Sequence, residues 1–269
     1  MRKFIVLVIL FLVGFGVFTL SRYESFGEMV DDLIVPIMPT FGDGWYEVDD
    51  SLATMEIKYK TETVDGTIEI YRITPGRYEM SLESDIESPH YLADWAENLD
   101  AAIVINGGYF HEDYTPSGYL KVDFNRIGER LFDQQRSGLL LIEDDQISIR
   151  DLSKDPLVTG EELEYGLQSY PFFIQDSVRA ITTDSGKLGR RTAVGTDHDG
   201  YFYIIIVDDF NITLYALMEA LIDTDIDFEY VLNLDGGPSS GIIVHRSRIN
   251  VEEDSIVRVP NVVVFSEKK

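Results

Sequence analysis

The sequence predicts an α+β fold: a single domain with a large mixed β-sheet and a few packed helices, preceded by an N-terminal membrane anchor. Three observations predict it. Segments of strand length outnumber helical ones. Two amphipathic segments with helical spacing each run into a buried strand. Hydrophobic residues make up 45% of the 269 residues, with fifteen Tyr and fifteen Phe, enough for a substantial sheet-rich core.

The elements follow in chain order. Met1-Arg2-Lys3 precedes an apolar run from Phe4 to Leu20, broken only by glycines and Thr19. As a helix this run would span roughly 25 Å, near the lower limit for crossing a bilayer. Basic residues before it and acidic ones after it place the N-terminus in the cytoplasm and the body outside. The flank Thr19 to Tyr23 lacks a small-x-small cleavage site, which favours an uncleaved single-pass anchor over residues 1–21 rather than a removed signal segment. Residues 22–44 read as a stalk, because Val35-Pro36-Ile37-Met38-Pro39 resists helix and strand alike. Residues 45–269 have the texture of one folded domain.

Alternation at Met55, Ile57 and Tyr59, and again from Ile68 to Ile73, predicts two strands; Pro75-Gly76 then turns the chain. Leu92, Trp95, Ala96 and Leu99 give one apolar face to a helix over 90–99, and Ala101 to Ile105 follows as a buried strand. Leu139–Ile142 and Tyr201–Val207 have the same apolar texture. Leu214, Leu217, Met218 and Leu221 predict a second helix that leads to a buried strand over Tyr230–Leu234. Gly241–Val244 and Val257–Phe265 close the chain as strands.

The formal net charge is -26. Such a surface repels nucleic acid, so no nucleic-acid partner is expected. A phosphate ligand would have to meet local arginines or backbone N–H groups. With no cysteine, disulfides, thiol nucleophiles and Cys-based zinc sites are excluded.

Three polar, glycine-rich segments beside predicted strands carry the candidate chemistry. In Ile105-Asn106-Gly107-Gly108-Tyr109-Phe110, paired glycines allow close backbone approach, and the Asn106 amide can donate and accept. In Asn233-Leu234-Asp235-Gly236-Gly237-Pro238-Ser239-Ser240-Gly241, alternation sends Asn233 and Asp235 to the face opposite Leu232 and Leu234. Asp235 can then act as nucleophile, general base or metal ligand. Gly189-Arg190-Arg191-Thr192-Ala193-Val194-Gly195 offers paired guanidinium groups as an anion clamp in an acidic chain. Each motif alone equally suits a plain turn or a surface ion pair.

Together, in this order, the motifs resemble the signature of the phosphodiester glycosidase family, and the resemblance extends from about Trp45 to Phe265. Gln168-Ser169-Tyr170-Pro171 is similar to that family's Gln-x-Gly-Pro segment, and Pro116-Ser117-Gly118 to its Ser-Gly pair. Tyr170 stands where a glycine is usual, and Pro238 replaces a third glycine. The resemblance implies an extracytoplasmic hydrolase that cleaves the bond between an anomeric carbon and a phosphate oxygen, in a glycosyl phosphodiester or surface glycan. It implies that Arg191 holds the phosphate with help from Arg190, and that Asp235 is the nucleophile or base. Asn106, Gln168 and Thr192 would orient the substrate, and Gly107, Gly108, Gly236 and Gly237 would bring backbone N–H groups close. Ser239 and Ser240 would bond the ligand or cap the next element.

No metal motif is present, so no cofactor is required by the sequence. Asp235, Asp208, Asp209 and Glu112 could still supply oxygen ligands to calcium or magnesium. The same features suit a non-catalytic carbohydrate-binding or polymer-assembly protein, or a metal-dependent phosphodiesterase cutting P–O.

Overall fold

The computed structural model describes residues 44–60, 65–129, 136–144, 146–158 and 160–268. The expected anchor and nearly all of the expected stalk lie outside the described residues. Among those described, no helix is long and apolar enough to cross a membrane.

Strands dominate. In chain order they are β1 (Tyr46–Glu47), β2 (Leu52–Lys60), β3 (Asp65–Ile73), β4 (Tyr78–Ser84), β5 (Ile103–Asn106) and β6 (Leu120–Val122). Then come β7 (Asn125–Arg126), β8 (Gly138–Glu143), β9 (Gln146–Asp151), β10 (Tyr165–Ser169), β11 (Phe172–Gln175) and β12 (Val178–Arg179). The last six are β13 (Gly189–Asp197), β14 (Phe202–Ile212), β15 (Phe228–Asn233), β16 (Ile242–Arg246), β17 (Ile249–Glu253) and β18 (Asn261–Glu267). Helices α1 (Leu92–Leu99) and α2 (Leu214–Ile222) sit where the helical spacing predicts them.

The strands form three sheets, not one: β1-β2-β3-β14-β13-β15-β11-β12, β7-β6-β10-β8-β9, and β17-β16-β5-β18-β4. Every described strand pairing is antiparallel, which corrects the expected mixed sheet. The reason is visible in β5. Ile103 to Asn106 is buried throughout, an apolar texture that parallel sheets usually show because both their faces are covered. Here an antiparallel strand is covered on both faces, by α1 and its apolar cluster on one side and by the inter-sheet core on the other.

That central core joins the inner faces of all three sheets, with Val194, Ile204, Ile206 and Leu232 meeting Leu140, Leu167, Ile105, Ile242 and Val263. On the outer face of the large sheet, α2 buries Leu217, Met218 and Leu221 against Ala193, Ile205 and Val231. Each such side chain contributes about 1.5–3 kcal/mol relative to exposure. The Thr213 hydroxyl accepts from Ala216 N–H and starts α2. Helix α1 has no cap of its own; Asp254, far along the chain, accepts from Leu92 N–H at 2.8 Å.

One prediction changes character. The Gly189–Gly195 segment is not a turn but the first part of β13, in the middle of the large sheet between β14 and β15. Its pairing with β14 shifts abruptly: Gly189 opposes Ile212, whereas Arg191 opposes Val207, so residues 208–211 bulge from the ladder.

Candidate active site

Alternation along β13 separates the two arginines. Thr192 and Val194 face the inter-sheet core, Ala193 faces α2, and Arg190 and Arg191 follow suit. Arg190 is nearly fully buried; its guanidinium pairs with Asp208 and donates to the Asp254 carbonyl. It is thus committed to the sheet interface, beside a carboxyl of Glu253 that burial and the neighbouring Glu69 push above the usual range.

Arg191 is placed differently. Its Nη2 donates to the Lys187 carbonyl at 2.6 Å and to the Ile212 carbonyl at 3.2 Å, at the mouth of the β13–β14 bulge. The Nε is buried without a partner among the described residues, and no described carboxylate lies near enough to form an ion pair. Burial pulls its pKa down, but a guanidinium remains a cation at any working pH. A methyl placed on Gly236 would stand 3.5 Å from Arg191 Nη1, so the Asp235-Gly236 loop passes directly beside this cation.

The loop after β15 is held by the loop after β5. Asp235 N–H donates to the Gly107 carbonyl at 3.1 Å, and Asn106 Nδ2 donates to the Asp235 carbonyl at 2.7 Å. Asn106 Oδ1 in turn accepts from the Thr192 hydroxyl at 2.7 Å and from Gly241 N–H at 3.3 Å. All three motifs therefore meet at one fully buried amide. Behind it stands Asn261, to which sequence reasoning gave no role. Gly107 N–H bonds its carbonyl, and Gly108 N–H bonds its Oδ1 at 2.7 Å. A Cβ on Gly107 would sit 2.0 Å from Asn261 Oδ1, so that position admits only glycine. The signal for Asn261 was a polar residue opening the otherwise apolar run Val262–Phe265.

Burial raises the Asp235 carboxyl to about 6, against hydrogen bonds from the Ser239 hydroxyl and Gly236 N–H that favour its charged form. Tyr109 lies close to both Asp235 and Arg191, and burial together with the Asp235 charge pushes its phenol well up. Its hydroxyl donates to the Tyr170 carbonyl at 3.0 Å and accepts from Asn233 Nδ2 at 2.6 Å. The Tyr170 ring packs against Tyr109 with centroids 4.8 Å apart, and the Arg136 guanidinium lies 5.0 Å from the Tyr170 centroid. Tyr109 and Asn233 lie inside the glycine-rich motifs, where an aromatic after paired glycines and an asparagine two before Asp235 were the available signals.

The remaining candidates divide. Gly237 needs its left-handed backbone (φ +61°) to start the short turn Gly237–Ser239. Ser239 bonds Asp235, while the Ser240 hydroxyl is fully buried with no partner among the described residues. Gln168 lies one layer away, behind Gly108. Its Oε1 accepts from Tyr119 N–H and its Nε2 donates to the Arg136 carbonyl, so it braces the second sheet. Among the described residues no cluster of three or more His, Asp or Glu side chains is arranged to hold a metal ion.

Residues 100–266, which contain all three motifs, match the sequence profile of the phosphodiester glycosidase family. The chain belongs to that family.

Solved structures agree at the level of the fold. The catalytic domain of the zebrafish N-acetylglucosamine-1-phosphodiester α-N-acetylglucosaminidase, auto-inhibited by its pro-peptide, is similar over 83% of this chain and 86% of its own, with TM-score 0.61 and 14% identity. A hypothetical protein from Synechocystis matches over 81% of this chain and 62% of its own (TM-score 0.57, 12% identity). A putative exported protein from Burkholderia pseudomallei matches over 75% and 74% (TM-score 0.54, 11% identity). No curated protein sequence matches the chain. Within the phosphodiester glycosidase framework, strands β1 to β4 precede the matched residues.

Proposed function

We propose that this phosphodiester glycosidase hydrolyses the bond between an anomeric carbon and a phosphate oxygen, outside the cytoplasm, in a glycosyl phosphodiester or surface glycan. The observation that supports it most is Arg191, a half-buried guanidinium with no described carboxylate partner, beside a glycine loop that carries a carboxyl raised to about 6. A buried cation without a counter-ion is costly unless an anion completes it. A phosphate offers two oxygens to a guanidinium and suits the place.

Asp235, ionised in roughly nine molecules of ten at pH 7 by its pKa, then serves as nucleophile at the anomeric carbon or as the base that activates water. The phosphate leaves as an anion that needs little protonation, so one carboxylate suffices on the sugar side. Arg191 holds the charge that develops on the departing oxygen. Asn106 and Thr192, spent on the Asp235 backbone and on each other, fix the loop rather than touch the sugar. The Phe4–Leu20 run supports a membrane-tethered location, with the catalytic residues on the outer side.

The test is release of sugar from a chromogenic sugar-1-phosphate diester by the full-length chain. Arg191→Ala and Asp235→Asn should each lower kcat/KM by about 100-fold or more. Near-normal turnover by both variants would remove the assignment.

A further inference from the structure

We propose that the diester carries a long alkyl or similar apolar group on the phosphate, opposite the sugar; this rests on the reading above and names its substrate class. The segments that frame Arg191 expose large apolar side chains to water. Leu188, 58% exposed, follows Lys187, whose carbonyl takes a hydrogen bond from Arg191. Phe210, 51% exposed, stands in the 208–211 bulge, just before the Ile212 carbonyl that takes the second. On the glycine-loop side, Ile256 is 56% exposed and Val257 beside it is exposed too, and both backbone N–H groups bond the Pro238 carbonyl. The same stretch reaches Arg190 through the Asp254 carbonyl.

Single exposed apolar residues need no explanation. These differ in position: all stand on the segments bonded to Arg190, Arg191 and the Asp235-Gly236-Gly237-Pro238 loop. Lys187 and Arg258 are exposed on these segments, as is Asp209 in the bulge, while Asp208 is paired with Arg190. A guanidinium whose bonded segments carry exposed apolar side chains complements an amphiphile: phosphate at the cation, hydrocarbon along the segments beside it. A wholly polar sugar phosphate would leave those side chains wet.

The experiment compares methyl, butyl and octyl diesters of one sugar-1-phosphate with the full-length chain. Each methylene fully taken from water is worth about fourfold, so partial coverage should raise kcat/KM at least tenfold from methyl to octyl. The exposed triple variant Leu188→Ser, Phe210→Ser, Ile256→Ser should flatten that series while keeping the methyl rate. Equal rates along the series for the parent chain would overturn the inference and leave the glycosidase reading standing. If no diester is turned over, calorimetry with octyl phosphate against methyl phosphate decides: tighter octyl binding that the triple variant loses upholds the apolar subsite even as the glycosidase reading falls, and equal binding overturns it. Loss of binding to plain phosphatidylcholine vesicles in the triple variant, without chain-length discrimination by the parent, would make these side chains a membrane contact and also overturn the inference.

Discussion

Replacing Asp235 by asparagine should stabilise the fold at neutral pH while it stops turnover. Burial raises this carboxyl from 3.8 to about 6, which at about 1.4 kcal/mol per unit is worth about 3 kcal/mol. Between those two values the folded chain holds a proton that the unfolded chain has released. Stability therefore falls as pH rises from 3.8 to about 6, and the whole penalty stands above 6. Asparagine keeps the shape and carries no charge to desolvate. Its gain over the parent should approach 3 kcal/mol at pH 7.5, shrink through pH 5 and vanish below about pH 4. Denaturant midpoints of both chains across pH 3.5 to 8, with the slopes checked for equality, measure this directly. A variant less stable than the parent at pH 7.5, or a difference that ignores pH, would refute the reasoning that function holds this carboxylate in an unfavourable place.

Other outcomes follow from the same geometry. Arg191→Lys keeps the charge but loses the planar fork, and kcat/KM on a phosphodiester should fall by about tenfold to 100-fold in steady-state assays. Asn106→Ala strands the Asp235 carbonyl, the Thr192 hydroxyl and Gly241 N–H in the interior; chemical denaturation should show a loss of about 3 kcal/mol or more. Gly107→Ala drives a methyl into Asn261 Oδ1, so activity should drop with the glycine loops displaced, whereas Gly76→Ala, an open turn at φ +70°, should cost about 1 kcal/mol and spare activity. For the parent enzyme the acidic limb of kcat/KM should bend near pH 6, the value set for Asp235; a limb near pH 4 would point to another group.

The helices and the strands with a continuous apolar run were legible, whereas β13, which opens on Gly189-Arg190-Arg191, was not. Leu92, Trp95, Ala96 and Leu99 mark α1 on one face, and Leu217, Met218 and Leu221 mark α2. Strands β4 and β17 alternate as well, burying Tyr78, Met80 and Leu82 in one and Ile249 and Val251 in the other, so their period is present in the sequence too. Parallel and antiparallel pairing could not be told apart in β5 or β15 because burial on both faces erases alternation. In the site, residue types pointed to Arg191, Asp235 and Asn106, and the structure brings their segments together. What sequence spacing did not carry is the division of labour. Arg190 and Arg191 look equivalent in the sequence, yet strand alternation turns one to Asp208 and leaves the other open. Gln168 reads as a ligand amide, yet both ends of its amide brace backbone. Asn261 lies 153 residues from Gly108, which it clamps together with Gly107, and only the β5–β18 pairing brings it there.

In the proposed reaction water enters at the sugar and not at phosphorus. Hydrolysis of a sugar-1-phosphate diester by the full-length chain in oxygen-18 water, followed by mass spectrometry of both products, tests it most directly. Label should appear in the released sugar and none in the phosphate monoester. Label in the phosphate would mean P–O cleavage and contradict it.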